Sequence, residues 1–99
     1  MRRWFLVGLI VSCSASAPAQ PLAPQTTAYV KWAHGPQDYV IIDEDLWRCV
    51  RDRCSGNVVD RGNLPAWTCR KIHRSAGTVE RFVLPAREFS AAELQQCNR

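Results

Sequence analysis

The sequence predicts a small α+β domain stapled by disulfides: a three- or four-stranded antiparallel sheet, one main helix and a short C-terminal helix. Three observations carry this expectation. Residues 38–50 are rich in β-branched and aromatic side chains on either side of an acidic turn, as a hairpin requires. Residues 65–76 place apolar side chains at helical spacing, between a proline and a glycine. Cys49, Cys54, Cys69 and Cys97 follow a leader-like N-terminus, and an exported chain of this size gains from cross-links what its core cannot supply.

Each element has its own local warrant. Asp38-Tyr-Val-Ile-Ile-Asp43 reads as a strand, Asp43-Glu44-Asp45 as the turn, and Leu46-Trp-Arg-Cys-Val50 as the returning strand. Alternation puts Trp47 and Cys49 on one face and Arg48 on the other, so Trp47 is expected in the core. Arg51-Asp52-Arg53 turns the chain again, and a third short strand is expected at Val58-Val59. A helix is expected from Pro65 to Ala76, with Asn63 as cap, Gly77 past its end, and Cys69, Ile72 and Ala76 as the buried stripe. Thr78 to Leu84 reads as a further strand stopped by Pro85. Ser90-Ala-Ala-Glu93 is a capping box, and Phe89 and Leu94 have the spacing of a hydrophobic staple, so a short helix follows from Ala91 to Cys97.

The N-terminus sets the compartment. Arg2 and Arg3, the apolar run Trp4 to Val11 and the A-x-A site Ala17-Pro18-Ala19 form a signal peptide, residues 1–19. The run is about half the roughly 20 residues needed to span a bilayer. An alternative is built into it: Ile10-Val11-Ser12-Cys13 has lipobox form, which would make 1–12 a lipoprotein signal and lipidate Cys13. Residues 20–28 follow as a Pro-rich disordered linker, spaced by Pro21 and Pro24, and residues 29–99 form the domain. Loss of Arg2 and Arg3 lowers the formal net charge from +4 to +2, so the intact chain overstates how basic the processed protein is.

The four remaining cysteines allow three connectivities. Cys49–Cys54, closing a tight turn, and Cys69–Cys97, tying the C-terminal helix to an internal element, are favoured. The spacing lacks the two close pairs of a structural zinc site, and there is no C-x-x-C redox pair. No metal and no small-molecule cofactor are expected.

The motifs W-R-C-x4-C at Trp47–Cys54, Cys69-Arg70, and F-S-A-A-E-L-Q-Q-C-N at Phe89–Asn98 resemble a group of short exported bacterial proteins of unknown function. That group shares a W-x-C-x4-C, a C-R and a terminal L-x-x-C-N. The resemblance covers most of residues 38–98. It implies a compact α+β domain and brings no activity with it.

For function, the residues offer cations and aromatics rather than catalysts. Arg48, Arg51, Arg53, Arg61, Arg70, Lys71 and Arg74 fall in one stretch of sequence that has only Asp52 and Asp60 as acids. Clustered in space, they would meet phosphate, lipopolysaccharide or a nucleic-acid backbone. Trp32, on an irregular approach segment, is expected to be the exposed aromatic beside them, whereas Trp67 is evenly balanced between core and surface. His34, His73 and Lys31 carry the residue types of a small secreted nuclease, but no spacing brings them together. Asp43-Glu44-Asp45 lacks the spaced oxygen ligands of a calcium loop.

The expected function is therefore a non-enzymatic envelope or secreted binding module, exported to the periplasm or beyond. Its binding site would draw on Arg48, Arg51, Arg53, Arg70, Lys71, Arg74 and Trp32. Its partner would be an anionic envelope component or another protein, and a membrane only if Cys13 is lipidated. A secreted hydrolase acting on nucleic acid is the alternative.

Overall fold

Alternation of small or apolar with polar residues selects the strands. The computed structural model of the protein, which describes residues 24–99, contains five of them: β1 (Thr26–Trp32), β2 (Tyr39–Ile42), β3 (Asp45–Val50), β4 (Arg53–Gly56) and β5 (Gly77–Val83). Two helices complete it, α1 (Leu64–Ala76) and α2 (Ala91–Cys97). The strands form one antiparallel sheet in the order β2-β3-β4-β1-β5. The leader, the lipidation alternative at Cys13 and the start of the linker lie outside the described residues.

Both helices cover one face of the sheet and leave the other open. On the covered face Val40, Ile42, Trp47, Cys49, Cys54, Ala28, Val30, Val79 and Phe82 are buried and meet Cys69, Ile72 and Ala76 of α1. On the open face of β2 and β3 the alternate residues Tyr39, Ile41, Leu46, Arg48 and Val50 are exposed. The period of two thus separates core from surface along both strands.

Two hairpins show how short sequences fix the register. Ile42 pairs with Asp45 across Asp43 and Glu44, which have φ of 52° and 71°, so the turn has the left-handed backbone that matches strand twist. Val50 pairs with Arg53 across Arg51 and Asp52, with Arg51 at φ 58°. One step from that turn, Cys49 lies opposite Cys54 with 4.0 Å between Cα atoms, and the two are disulfide-bonded. The backbone N–H of Cys49 donates to the O of Asp38, just before β2, so this pair is a non-hydrogen-bonded one with respect to β4, where side chains approach closest.

Trp47 also sits opposite a residue that must be glycine. A Cβ at Gly56 would collide with the indole carbons of Trp47, so the ring lies directly on the bare backbone of β4. Gly56 in turn pairs with Thr26 of β1. The Thr26 hydroxyl is buried there without a hydrogen-bond partner.

Helix α1 follows the expected stripe of Cys69, Ile72 and Ala76, with Pro65 buried in its first turn. Asn63 holds the N-cap position but makes no side-chain cap bond. Its carbonyl instead accepts from Trp67 N–H, the first helical bond. At the other end Gly77 donates to His73 O and has φ 143°. A Cβ there would meet the Lys31 carbonyl of β1, so glycine lets helix and strand close up. Cys69 is bonded to Cys97, which ties α1 to α2. Chain-entropy arithmetic gives about 3.5 kcal/mol for a loop of that length and about 2 kcal/mol for the Cys49–Cys54 loop.

The capping box of α2 is present in both halves: Glu93 N–H donates to Ser90 Oγ at 3.2 Å and Ser90 N–H to Glu93 Oε1 at 2.8 Å. Phe89 is buried with its ring centroid 4.8 Å from that of Phe82. Arg87 spans the same corner, donating to both carboxylate oxygens of Asp60 at 3.3 Å and to Glu93 Oε2 at 3.1 Å. The Ser90 N–H bond, reinforced by Arg87, holds the Glu93 carboxyl below its ordinary value of 4.5.

Three expectations need correction. The sheet has five strands and not three or four, because β1 and β4 begin within segments whose sequence predicts a linker and a turn. Thr26 to Ala28 belong to β1, since Thr26, Ala28 and Val30 alternate inward and pair with β4 and β5. Val58-Val59 is loop: β1 offers no partner beyond the Thr26–Gly56 pair, so β4 ends at Gly56, and Val59 is exposed.

Two outcomes follow from this packing. Gly56→Ala is expected to cost about 1–3 kcal/mol in denaturant unfolding, because the added methyl displaces the Trp47 ring. Glu93 has a depressed carboxyl, so its contribution is present above pH ~4.5 and is lost as pH falls through the lower folded-state value. Glu93→Gln should therefore flatten the decline in melting temperature between about pH 5 and pH 3, read by circular dichroism.

Candidate binding face

The open side of the sheet gathers cations around one aromatic ring. Tyr29 lies at the middle of β1 with its side chain on this face. Its cross-strand neighbours are Arg53 on β4 and Arg81 on β5. The two guanidinium carbons stand 5.1 Å and 4.8 Å from the Tyr29 ring centroid, within cation–π range. Between Tyr29 and Val30 the register against β5 shifts, which leaves Glu80 unpaired and lets Arg81 face Tyr29.

Arg81 is held by Glu88 through two bonds of 2.9 and 2.8 Å. That contact raises the Arg81 pKa and lowers that of Glu88, keeping both charged. Among the described residues Arg53 pairs with one carboxylate, Asp52, at 4.0 Å. Among the described residues no carboxylate pairs with Arg48. It lies beside Ser55, one diagonal step from Arg53, so the two share a patch of face. Around Arg48 stand Tyr39, Ile41, Leu46 and Val50, with 54%, 60%, 47% and 69% of their surface exposed.

The residues singled out in sequence therefore divide between two sides. Arg48 and Arg53 lie on the open face, and Arg51 lies in the turn at its end. Arg70, Lys71 and Arg74 ride on α1, across the sheet. Arg70 Nε donates to Gln96 O at 3.3 Å, and Lys71 donates to both oxygens of Asp43 at 2.6 Å, fastening α1 to the β2–β3 turn. A single basic face uniting them does not form, because the sheet stands between.

Trp32 is likewise placed differently from the expectation. It ends β1, is half-buried against the core, and its Nε1 donates to Arg51 O at 2.8 Å. Val30 N–H donates to the adjacent Asp52 carbonyl at 2.7 Å, so β1 grips the β3–β4 turn twice. Trp67, by contrast, is 53% exposed on the first part of α1.

His73 is half-buried on α1, with Nδ1 2.9 Å from Gly77 O. Lys31 projects from the opposite face of the sheet, beside Thr78. His34 is exposed in the loop after β1. No hydrogen bond joins the two imidazoles, and the lysine is separated from His73 by the sheet.

Tyr29, Arg81, Tyr39, Ile41, Leu46 and Val50 were not identified from sequence as site residues. For all but Arg81 the signal was present in the period of two: with Ala28, Val30, Val40, Ile42, Trp47 and Cys49 inward, their neighbours must point outward, whereas Arg81 reaches this face through the bulge at Glu80. Two open depressions lie along the free edge of β2. One open depression of about 400 Å³ is lined by Gln37 to Ile41 and Ser75, and one of about 220 Å³ by Ile41 to Asp43, Lys71, Arg74 and Ser75. Among the described residues no three histidines, cysteines or carboxylates gather as a metal site, and no helix is long and apolar enough to cross a membrane.

No curated protein and no solved structure matches the chain. One family profile does, over residues 9–99, and the chain belongs to that family, a family of unknown function (DUF8200).

Proposed function

We propose that the protein is an exported, non-enzymatic binding module, and that the open face of its sheet docks an anionic macromolecule of the cell envelope. The observation that carries this reading is the Tyr29 ring flanked by Arg53 and Arg81, with the unpaired Arg48 beside it. A flat face of arginine and tyrosine with apolar neighbours suits a large partner.

The cations supply attraction that falls with salt, and the apolar side chains supply contact that does not. Among the described residues Arg48 has no carboxylate partner and Arg53 has only a long contact to Asp52, whereas Arg81, tied to Glu88, orients the ring. Export rests on the leader at residues 1–19 and on two disulfides, which fit an oxidising compartment.

Binding to lipopolysaccharide or an acidic polysaccharide, followed by calorimetry, should weaken as salt rises. Arg48→Ala with Arg53→Ala should weaken it at least about tenfold, roughly the 1.4 kcal/mol that two charge-assisted contacts supply. Arg70→Ala, across the sheet, should leave it unchanged. Equal losses from both sets would remove the open face as the site. Nuclease activity abolished by His73→Ala would replace a binding role with a hydrolytic one.

Intact mass spectrometry of the protein from its native host should give a chain starting at Gln20. A diacyl or triacyl increment on Cys13 would instead make the protein a lipid-anchored one.

A further inference from the structure

The sheet has two edges, and they are treated differently. Along β5 the outward backbone groups are occupied. Asn98 uses its amide as a strand would, accepting from Val79 N–H and donating to Val79 O, both at 2.8 Å. Further along, Phe89 N–H donates to Phe82 O at 2.9 Å, and Val83 bridges Glu88. That edge is closed.

The β2 edge is open. Asp38 O accepts from Cys49 N–H, so Asp38, Val40 and Ile42 direct their backbone groups to β3. Tyr39 and Ile41 then direct theirs outward, away from the sheet. The edge is short and flanked by Asp38 and Asp43, but Tyr39–Ile42 itself contains no lysine, proline or bulge, and its two outward residues are more than half exposed.

We infer that this edge pairs with the same edge of a second copy, forming an antiparallel, two-fold symmetric β2–β2 contact centred on Val40. The stretch Asp38-Tyr-Val-Ile-Ile-Asp43 suits such pairing. With Val40 opposite Val40 of the second copy, Tyr39 falls opposite Ile41 and Ile41 opposite Tyr39. Those are the residues whose N–H and C=O point outward, so each pair exchanges two hydrogen bonds. Their side chains meet on the open face as aromatic–β-branched pairs.

Charge argues for a second copy as the occupant. In this register Asp38 of the second copy comes opposite Ile42. Alternation turns its side chain toward the helix layer, where Ile42, Asp43, Lys71 and Arg74 line the smaller depression, two cations against one carboxylate. Lys71 is already bound to Asp43, while Arg74 has no carboxylate partner among the described residues. One strand spacing, about 4.8 Å, separates the two backbones, within an arginine's reach. Two equivalent Asp38–Arg74 pairs result, one at each end of the contact. Ser75 borders both depressions, and its small side chain leaves room beside the axis.

The contact joins two five-stranded sheets into one and makes the two open faces continuous. It is independent of what that face binds.

Sedimentation velocity on the purified, disulfide-bonded protein should show a concentration-dependent monomer–dimer equilibrium. Ile41→Pro removes an outward N–H that no β3 partner uses and should leave a folded monomer. Asp38→Arg and Arg74→Asp should each raise the dimer dissociation constant roughly tenfold by opposing like charges, and the double reversal should restore it. A protein that stays monomeric at all concentrations overturns the inference, as does a dimer that tolerates Ile41→Pro. A dimer lost with Ile41→Pro yet indifferent to the charge reversals overturns the Val40-centred register. Capture of a foreign extended peptide on β2 by a chain that never self-associates would assign the edge to another occupant.

Discussion

The indole of Trp47 lying on the bare backbone of Gly56 is the constraint on which the other contacts depend. It makes β3 and β4 neighbours at one register, since a slip of one residue would turn Trp47 to solvent and bring a side chain beneath it. The Cys49–Cys54 bridge, two residues along, holds the same register covalently. From Gly56 the pairing passes to Thr26, which starts β1, and β1 carries β5 and the end of α1. The buried hydroxyl of Thr26 lacks a partner at this crossing. A buried hydroxyl left unbonded costs about 1–3 kcal/mol, so burial of the surrounding row has to outweigh it.

Small size shapes the rest. A chain of this length leaves much of its surface in water, so cross-links and corner contacts supply what a larger core would. The Cys69–Cys97 bridge and the Arg87 contacts to Asp60 and Glu93 both fasten α2 and the segment before it. Exposed ion pairs each contribute no more than about 1 kcal/mol, so the disulfide is the larger of these terms. The fastened segment is the one that closes the β5 edge, so stability and edge protection come from the same residues.

What could be read from the sequence depended on whether the signal was local. The capping box at Ser90 and Glu93, the buried stripe of α1 and the β2–β3 hairpin each announce themselves within a few residues. Strand β1 was obscured because Pro21 and Pro24 precede it and its inward residues are Thr, Ala and Val, a weak apolar signal. Strand β4, Arg-Cys-Ser-Gly, contains no β-branched residue at all. It is a strand because the Cys49–Cys54 bridge and the Trp47 contact place it beside β3, while Val58-Val59, better strand formers, find no partner. The basic residues show the same limit: counting them along the chain could not reveal that the sheet separates Arg48 and Arg53 from Arg70, Lys71 and Arg74.

The open face poses a separate question, because folding does not dictate its composition. Packing requires Trp47 and Cys49 inward, which sends Leu46, Arg48 and Val50 outward whatever they are, and Val40 and Ile42 do the same for Tyr39 and Ile41. Threonine, lysine or glutamate would serve the strands there and would spare the chain an exposed apolar surface. Leaving large apolar side chains in water forfeits about 25 cal/mol for each Å² that a partner could have covered. Four such side chains stand together around Arg48, which no carboxylate among the described residues neutralises. The other large exposed apolar residues, Val59, Leu64 and Trp67, lie on or before the first turns of α1. The fold has no use for this arrangement, and the partner proposed above would account for it by covering the face. Such a partner would have to tolerate arginine at its centre, which favours an acidic one over a purely apolar one.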